Sequence, residues 1–114
     1  MTRYEVGDVV SVEFPFSDLQ RLKRRPGLVL ISADPDLLVA RATTHSPQGS
    51  SGVALTRWSE MGLTRPSTIR LTKLATIDLR LVHHKIGHLA AEDARAVAQA
   101  WQQLTGNILA ELLK

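Results

Sequence analysis

The chain has 114 residues, 44% of them hydrophobic, and no cysteine. That is one domain with one modest core, and it excludes a disulfide framework and a thiolate metal site. The formal charge is +3, yet Leu19 to Lys85 holds eleven Lys or Arg against four Asp or Glu, a net +7, which points to a polyanionic partner or a solvated basic face.

The first residues, Met1-Thr2-Arg3-Tyr4-Glu5, carry no apolar signal core. No apolar run approaches the roughly 18 residues of a membrane span, so a soluble, cytoplasmic protein without a membrane partner is expected. Gly7-Asp8 signals a turn into Val9 to Phe14, where Val10, Val12 and Phe14 alternate with polar residues as in a half-buried strand. Pro15 to Asp18 ends it, and a basic loop runs on to Arg25. Gly27 to Ile31 is apolar on both faces, which predicts a central strand. Asp34-Pro35-Asp36 is a turn, and Leu37 to Thr43 a third strand.

Ser46 to Gly52 has loop composition. Val53 to Leu55 is a short strand, and Thr56 to Met61 a helical turn that Gly62 closes. Thr68 to Thr72 alternates with Ile69 and Leu71 inward, Lys73 and Leu74 break the alternation with a bend or bulge, and Ile77, Leu79 and Leu81 resume it. Lys85 to Leu89 adds a last strand. From Ala91 to Leu113 the spacing of Val97, Trp101, Leu104, Ile108 and Leu112 predicts one amphipathic helix, with Glu92 and Asp93 at its N-terminus. The sum is a mainly β domain with a C-terminal helix (α+β), a small barrel spanning 1–114.

The densest chemistry lies in Arg21-Leu22-Lys23-Arg24-Arg25-Pro26. Pro26 biases Arg25 to extended geometry at the lip of the second strand, and a guanidinium fixed there suits phosphate. Arg41 and Thr43 share a strand face, as do Thr68, Arg70 and Thr72. Each alone is ordinary wet surface; with Arg24 and Arg25 they outline a groove with phosphate donors on both walls. The four histidines, His45, His83, His84 and His88, lack the carboxylate cluster a metal site would need. His45 stands beside Thr43 and Thr44, with no role assigned by the sequence. There is no P-loop, dinucleotide fingerprint or nucleophile elbow.

An ordered set of segments resembles the MazF/PemK family of toxins from type II toxin–antitoxin systems: Gly7-Asp8-Val9-Val10, Phe14-Pro15-Phe16-Ser17-Asp18, Lys23-Arg24-Arg25-Pro26-Gly27, Leu38 to Thr44, Gly62 to Ser67, Ile69-Arg70-Leu71, Lys73 to Asp78 and Ile86-Gly87-His88-Leu89. The resemblance implies an SH3-like barrel that forms a homodimer, a cognate antitoxin protein as partner, and operator DNA only through the antitoxin complex. It implies an endoribonuclease that needs no metal or other cofactor and cuts single-stranded RNA through attack of a ribose 2′-OH, leaving 2′,3′-cyclic phosphate and 5′-OH ends. The family's catalytic arginine falls on Arg25 and its threonine on Thr43, with Thr44 beside it. Arg70 matches a second basic position, and Lys23, Arg24, Arg21, Thr44, Arg70 and Thr72 are the expected RNA contacts.

One position departs from the pattern. Some PemK-type members place a catalytic aspartate two residues after that second arginine, and here it is Thr72. Either Arg25 and Thr43 suffice, or cleavage is weak or lost. Two other readings stay open: a barrel that binds nucleic acid without cutting it, and a toxin directed at DNA gyrase through its C-terminal helix.

Overall fold

The computed structural model describes residues 3–14, 24–46, 49 and 51–114. Its strands are β1 Asp8–Glu13, β2 Arg24–Ala33, β3 Asp36–Thr43, β4 Gly52–Ala54, β5 Thr68–Asp78 and β6 Val82–His88; the helix α1 is Ala91–Leu112. All six strands form one antiparallel sheet in the order β4-β5-β3-β2-β1-β6, whose ladder is open with β4 and β6 at its edges. The mainly β chain with a C-terminal helix is the expected one. No helix among the described residues is long and apolar enough to cross a membrane.

Each face of the sheet carries its own core. Val9, Leu28, Ala40, Ile69 and Leu71 point to the side covered by α1, through Val97 and Trp101. Val10, Val12, Phe14, Val29, Leu37, Val39 and Ile77 form a second cluster on the other side. Strand β1 is therefore buried on both faces (Val9 and Val10 are both fully covered) and is not the half-buried strand its alternation predicts. It lies between β2 and β6, and the apolar Val9 that the alternation left out faces the helix-side core.

Gly27 lies between the two layers for a steric reason. A Cβ there would meet the Val39 side chain and would come within 2.8 Å of Phe14 Cζ. Its neighbours across the ladder are Val10 in β1 and Arg41 in β3.

The expected bulge is present. Between Ala40 and Arg41 the partner in β5 jumps from Leu74 to Arg70, leaving Leu71, Thr72 and Lys73 unmatched in β3. Two expectations change. Leu79 and Leu81 do not extend the strand: Asp78 accepts the Arg80 N–H at 2.9 Å and turns Leu79–Leu81 into one turn of 3₁₀ helix, with Leu81 64% exposed. The helix stripe is buried only in its first half. Val97, Trp101 and Leu104 pack on the sheet, whereas Ile108 and Leu112 are 49% and 73% exposed. The turn at Trp58–Met61 is confirmed, and Gly62 closes it with φ 86°.

Asp93 does more than favour the helix N-terminus. Its fully buried carboxylate accepts Thr56 N (2.8 Å), Thr56 Oγ1 (2.9 Å) and Arg57 N (2.9 Å). These three bonds tie α1 to the segment after β4. Arg57 then bridges Glu60 and Glu92 at 3.0 and 2.9 Å on the surface.

Candidate functional site

The face of the sheet away from the helix is apolar at one end and basic at the other. Paired residues in an antiparallel ladder share a face. Arg25 is paired with Val12, Arg41 with Gly27 on one side and Arg70 on the other, and Arg70 with Gly52. Alternation therefore puts all three guanidinium-bearing residues on the side of Val10, Val12 and Val39, where that apolar layer ends. Thr43 pairs with the buried Thr68 one step further along.

Arg41 and Arg70, but not Arg25, border a cleft of about 170 Å³ lined also by Thr43, His45, Ser46, Ser51, Gly52 and Thr68. Whole small molecules occupy pockets of roughly 300–1,000 Å³, so this cleft takes in a small anion or part of a larger molecule. Among the described residues no carboxylate lines it. Burial lowers the pKa of Arg41, and the positive charges of Arg25 and Arg70 lower it further. Like charges placed opposite one another across strands destabilise a sheet. In addition, the Nε atoms of Arg25 and Arg41 are buried with no hydrogen-bond partner among the described residues. Buried donors normally find an acceptor. The cluster thus supplies positive charge and unmet donors with no acid to balance them among the described residues, which is the chemistry of an anion site.

Thr43 is held from the next turn of chain. Its Oγ1 accepts the His45 backbone N–H at 3.3 Å and lies 3.0 Å from His45 Nδ1. His45 is exposed and reaches the cleft alongside Ser46.

The predicted site residues are therefore not all together. Arg25, Thr43 and Arg70 belong to one neighbourhood. Arg24 is exposed and points to the other face, opposite Glu13. Thr44 is exposed and does not line the cleft, and Thr72 is exposed in the bulge, two residues past Arg70. Arg21 and Lys23 lie outside the described residues. The sequence places Arg41 in the groove but gives it no role of its own, although a lone arginine inside Val39-Ala40-Arg41-Ala42 is a usable signal. The sequence gives His45 no role and places Thr68 only on the groove face, while Ser46 and Ser51 come with the fold.

The family described as PemK-like, MazF-like toxin of type II toxin-antitoxin system matches residues 5–105 of the chain. The chain belongs to this family. No curated relative matches it by sequence. Among solved structures, the Mycobacterium tuberculosis toxin MazF-mt6 superposes with a TM-score of 0.67 at 23% identity, over 82% of this chain and 90% of that one. A MazE-MazF structure from Deinococcus radiodurans gives 0.73 at 18% identity, over 93% and 98%. An endoribonuclease in complex with its cognate antitoxin, from a mycobacterial species, gives 0.71 at 14% identity, over 88% and 92%. At these identities the likeness is one of fold. The cluster of Arg25, Arg41 and Arg70 is thus set in a MazF-like toxin fold.

Proposed function

We propose that this MazF-like toxin is an endoribonuclease that cuts single-stranded RNA without a metal ion, in the cytoplasm, and is restrained by a cognate antitoxin. The observation that carries the reading is a cleft lined by Arg41, Arg70 and the Thr43 hydroxyl, with the Arg25 charge acting on Arg41 and no carboxylate in the lining among the described residues. Attack of a ribose 2′-oxygen on the adjacent phosphorus forms a phosphorane with more negative charge on its oxygens than the starting diester. Fixed guanidiniums stabilise that state more than the ground state. Arg25 is the main stabiliser, Thr43 donates to a phosphate oxygen, and Arg70 holds phosphate. Collapse of the phosphorane gives a 2′,3′-cyclic phosphate and a 5′-OH end.

Lys23, Arg21, Thr44 and Thr72 contact the strand beyond the scissile phosphate, whereas Arg24, on the other face, lies outside this path. The antitoxin blocks this basic end with acidic residues, and operator DNA is met only through the antitoxin complex. The half-open apolar face formed by Val6, Ile31, Val97 and Trp101 supports pairing of two copies into a homodimer, with an SH3-like barrel in each.

The test is incubation of the purified protein with a long single-stranded RNA in EDTA, followed by mapping of the ends. Discrete cuts with cyclic phosphate and 5′-OH ends, absent on DNA of the same sequence, are expected. Intact RNA that is nevertheless bound in a salt-dependent way would replace the nuclease with a binding module.

A further inference from the structure

Formation of the cyclic phosphate requires a group that removes the 2′-hydroxyl proton. Guanidinium stays protonated and a threonine hydroxyl is no base at neutral pH. Among the described residues lining the cleft, His45 alone carries a side chain that accepts a proton near neutrality. We propose that His45 is the general base of the reaction, with Nε2 as the accepting atom and Thr43 as the group that orients it. The inference rests on the ribonuclease reading above and gives that site its proton acceptor.

The hydrogen bonding favours this assignment. Thr43 Oγ1 has two lone pairs and one hydrogen. The His45 backbone N–H occupies one lone pair at 3.3 Å. A proton on Nδ1, 3.0 Å away, occupies the other. The hydroxyl hydrogen is then turned outward for a phosphate oxygen, and Nε2 is left with a free lone pair. In the tautomer with the proton on Nδ1, this one contact directs both the imidazole and the threonine donor. The charged groups bordering the same cleft are Arg41 and Arg70, with Arg25 behind Arg41.

The step balances. The 2′-O–H bond breaks and its proton passes to Nε2. The 2′-oxygen pair forms the new bond to phosphorus. The bond from phosphorus to the 5′-oxygen breaks, its pair leaves on that oxygen, and the oxygen takes a proton from solvent water. His45 returns its own proton to solvent.

The experiment is a pH–rate profile on a short single-stranded RNA for the wild type, His45→Gln and His45→Ala. His45→Gln should lose about 10²–10⁴-fold in kcat with little change in KM. The wild-type limb between about pH 5 and 8 should vanish in it, and added imidazole should restore cleavage to His45→Ala. A substrate with a 5′-thio leaving group, which needs no acid, should show the same loss. Full recovery of the variants on that substrate would make His45 the acid and overturn its role as base. A His45→Gln enzyme with wild-type kcat and pH profile would overturn any proton role while leaving the nuclease reading intact. A wild-type protein that cuts no RNA at any pH would remove both readings together.

Discussion

Two clusters of charge in this small sheet are built in opposite ways. Asp8, at the start of β1, is fully buried and fully answered: it accepts Glu5 N at 2.8 Å, lies 2.8 Å from His88 Nδ1 and pairs with Lys85 at 3.1 Å. Burial pushes its carboxyl up, but the Glu5, His88 and Lys85 contacts outweigh burial and hold it below its usual range. At the other end Arg25, Arg41 and Arg70 repel one another and leave two buried Nε atoms unanswered among the described residues. A buried charge with every partner present is a fastener. A cluster of like charges without a counter-ion costs the fold something, and its partner is a ligand.

The largest test of that contrast is Arg25→Ala. Loss of one fixed electrostatic donor should lower kcat about 10²–10³-fold, with the far-UV spectrum and thermal midpoint kept. An active variant would take Arg25 out of the chemistry. Asp8→Asn should do the reverse, leaving per-molecule cleavage alone while costing about 3 kcal/mol in denaturant unfolding, as expected when one partner of a buried pair is removed.

The pH dependence of Asp8 follows from its depressed folded pKa. Its contribution is complete above the unfolded value near 3.8 and is lost as pH falls through the lower folded value. Acid unfolding below about pH 4 should therefore be less steep in Asp8→Asn, and identical acid curves would contradict the fastener role.

Binding of an uncleavable single-stranded RNA analogue should weaken with salt. A log–log slope of about −2 is expected for three arginine–phosphate contacts at about −0.7 each, and it should become shallower by roughly one contact in Arg41→Met. The smallest effect concerns stability. Arg41→Met removes a charge that burial and its neighbours disfavour. It should leave the thermal midpoint unchanged or raise stability by about 0.2–1 kcal/mol, the scale of a facing like-charge pair. A marked loss would show that Arg41 is structural after all.

Much of the fold was legible because period-2 and period-4 patterns report burial directly. The bulge at Lys73 was visible as a broken alternation, and the ladder makes it the jump from Leu74 to Arg70. The errors share a cause: alternation shows which residues are apolar, not what will cover them. Val9 was left out of the core because a strand pattern cannot announce a helix on its far side. Ile108 and Leu112 fit the helix stripe but extend beyond the body that would bury them. Leu79 and Leu81 kept the strand rhythm, but Asp78 captured the next N–H and turned the chain.

The sequence by itself determined the elements, the two-faced core of β2, the basic middle of the chain and the family to which it belongs, since local pattern and residue order carry these. It also singled out Arg25, Thr43 and Arg70. Only the tertiary structure decided which cations meet. Arg25, Arg41 and Arg70 come from three strands, and their convergence depends on the register Gly27↔Arg41↔Arg70. Changing the register by one residue would turn each of these side chains to the opposite face. The same register keeps Thr72 in the bulge and brings Thr43 and His45 to the cleft edge.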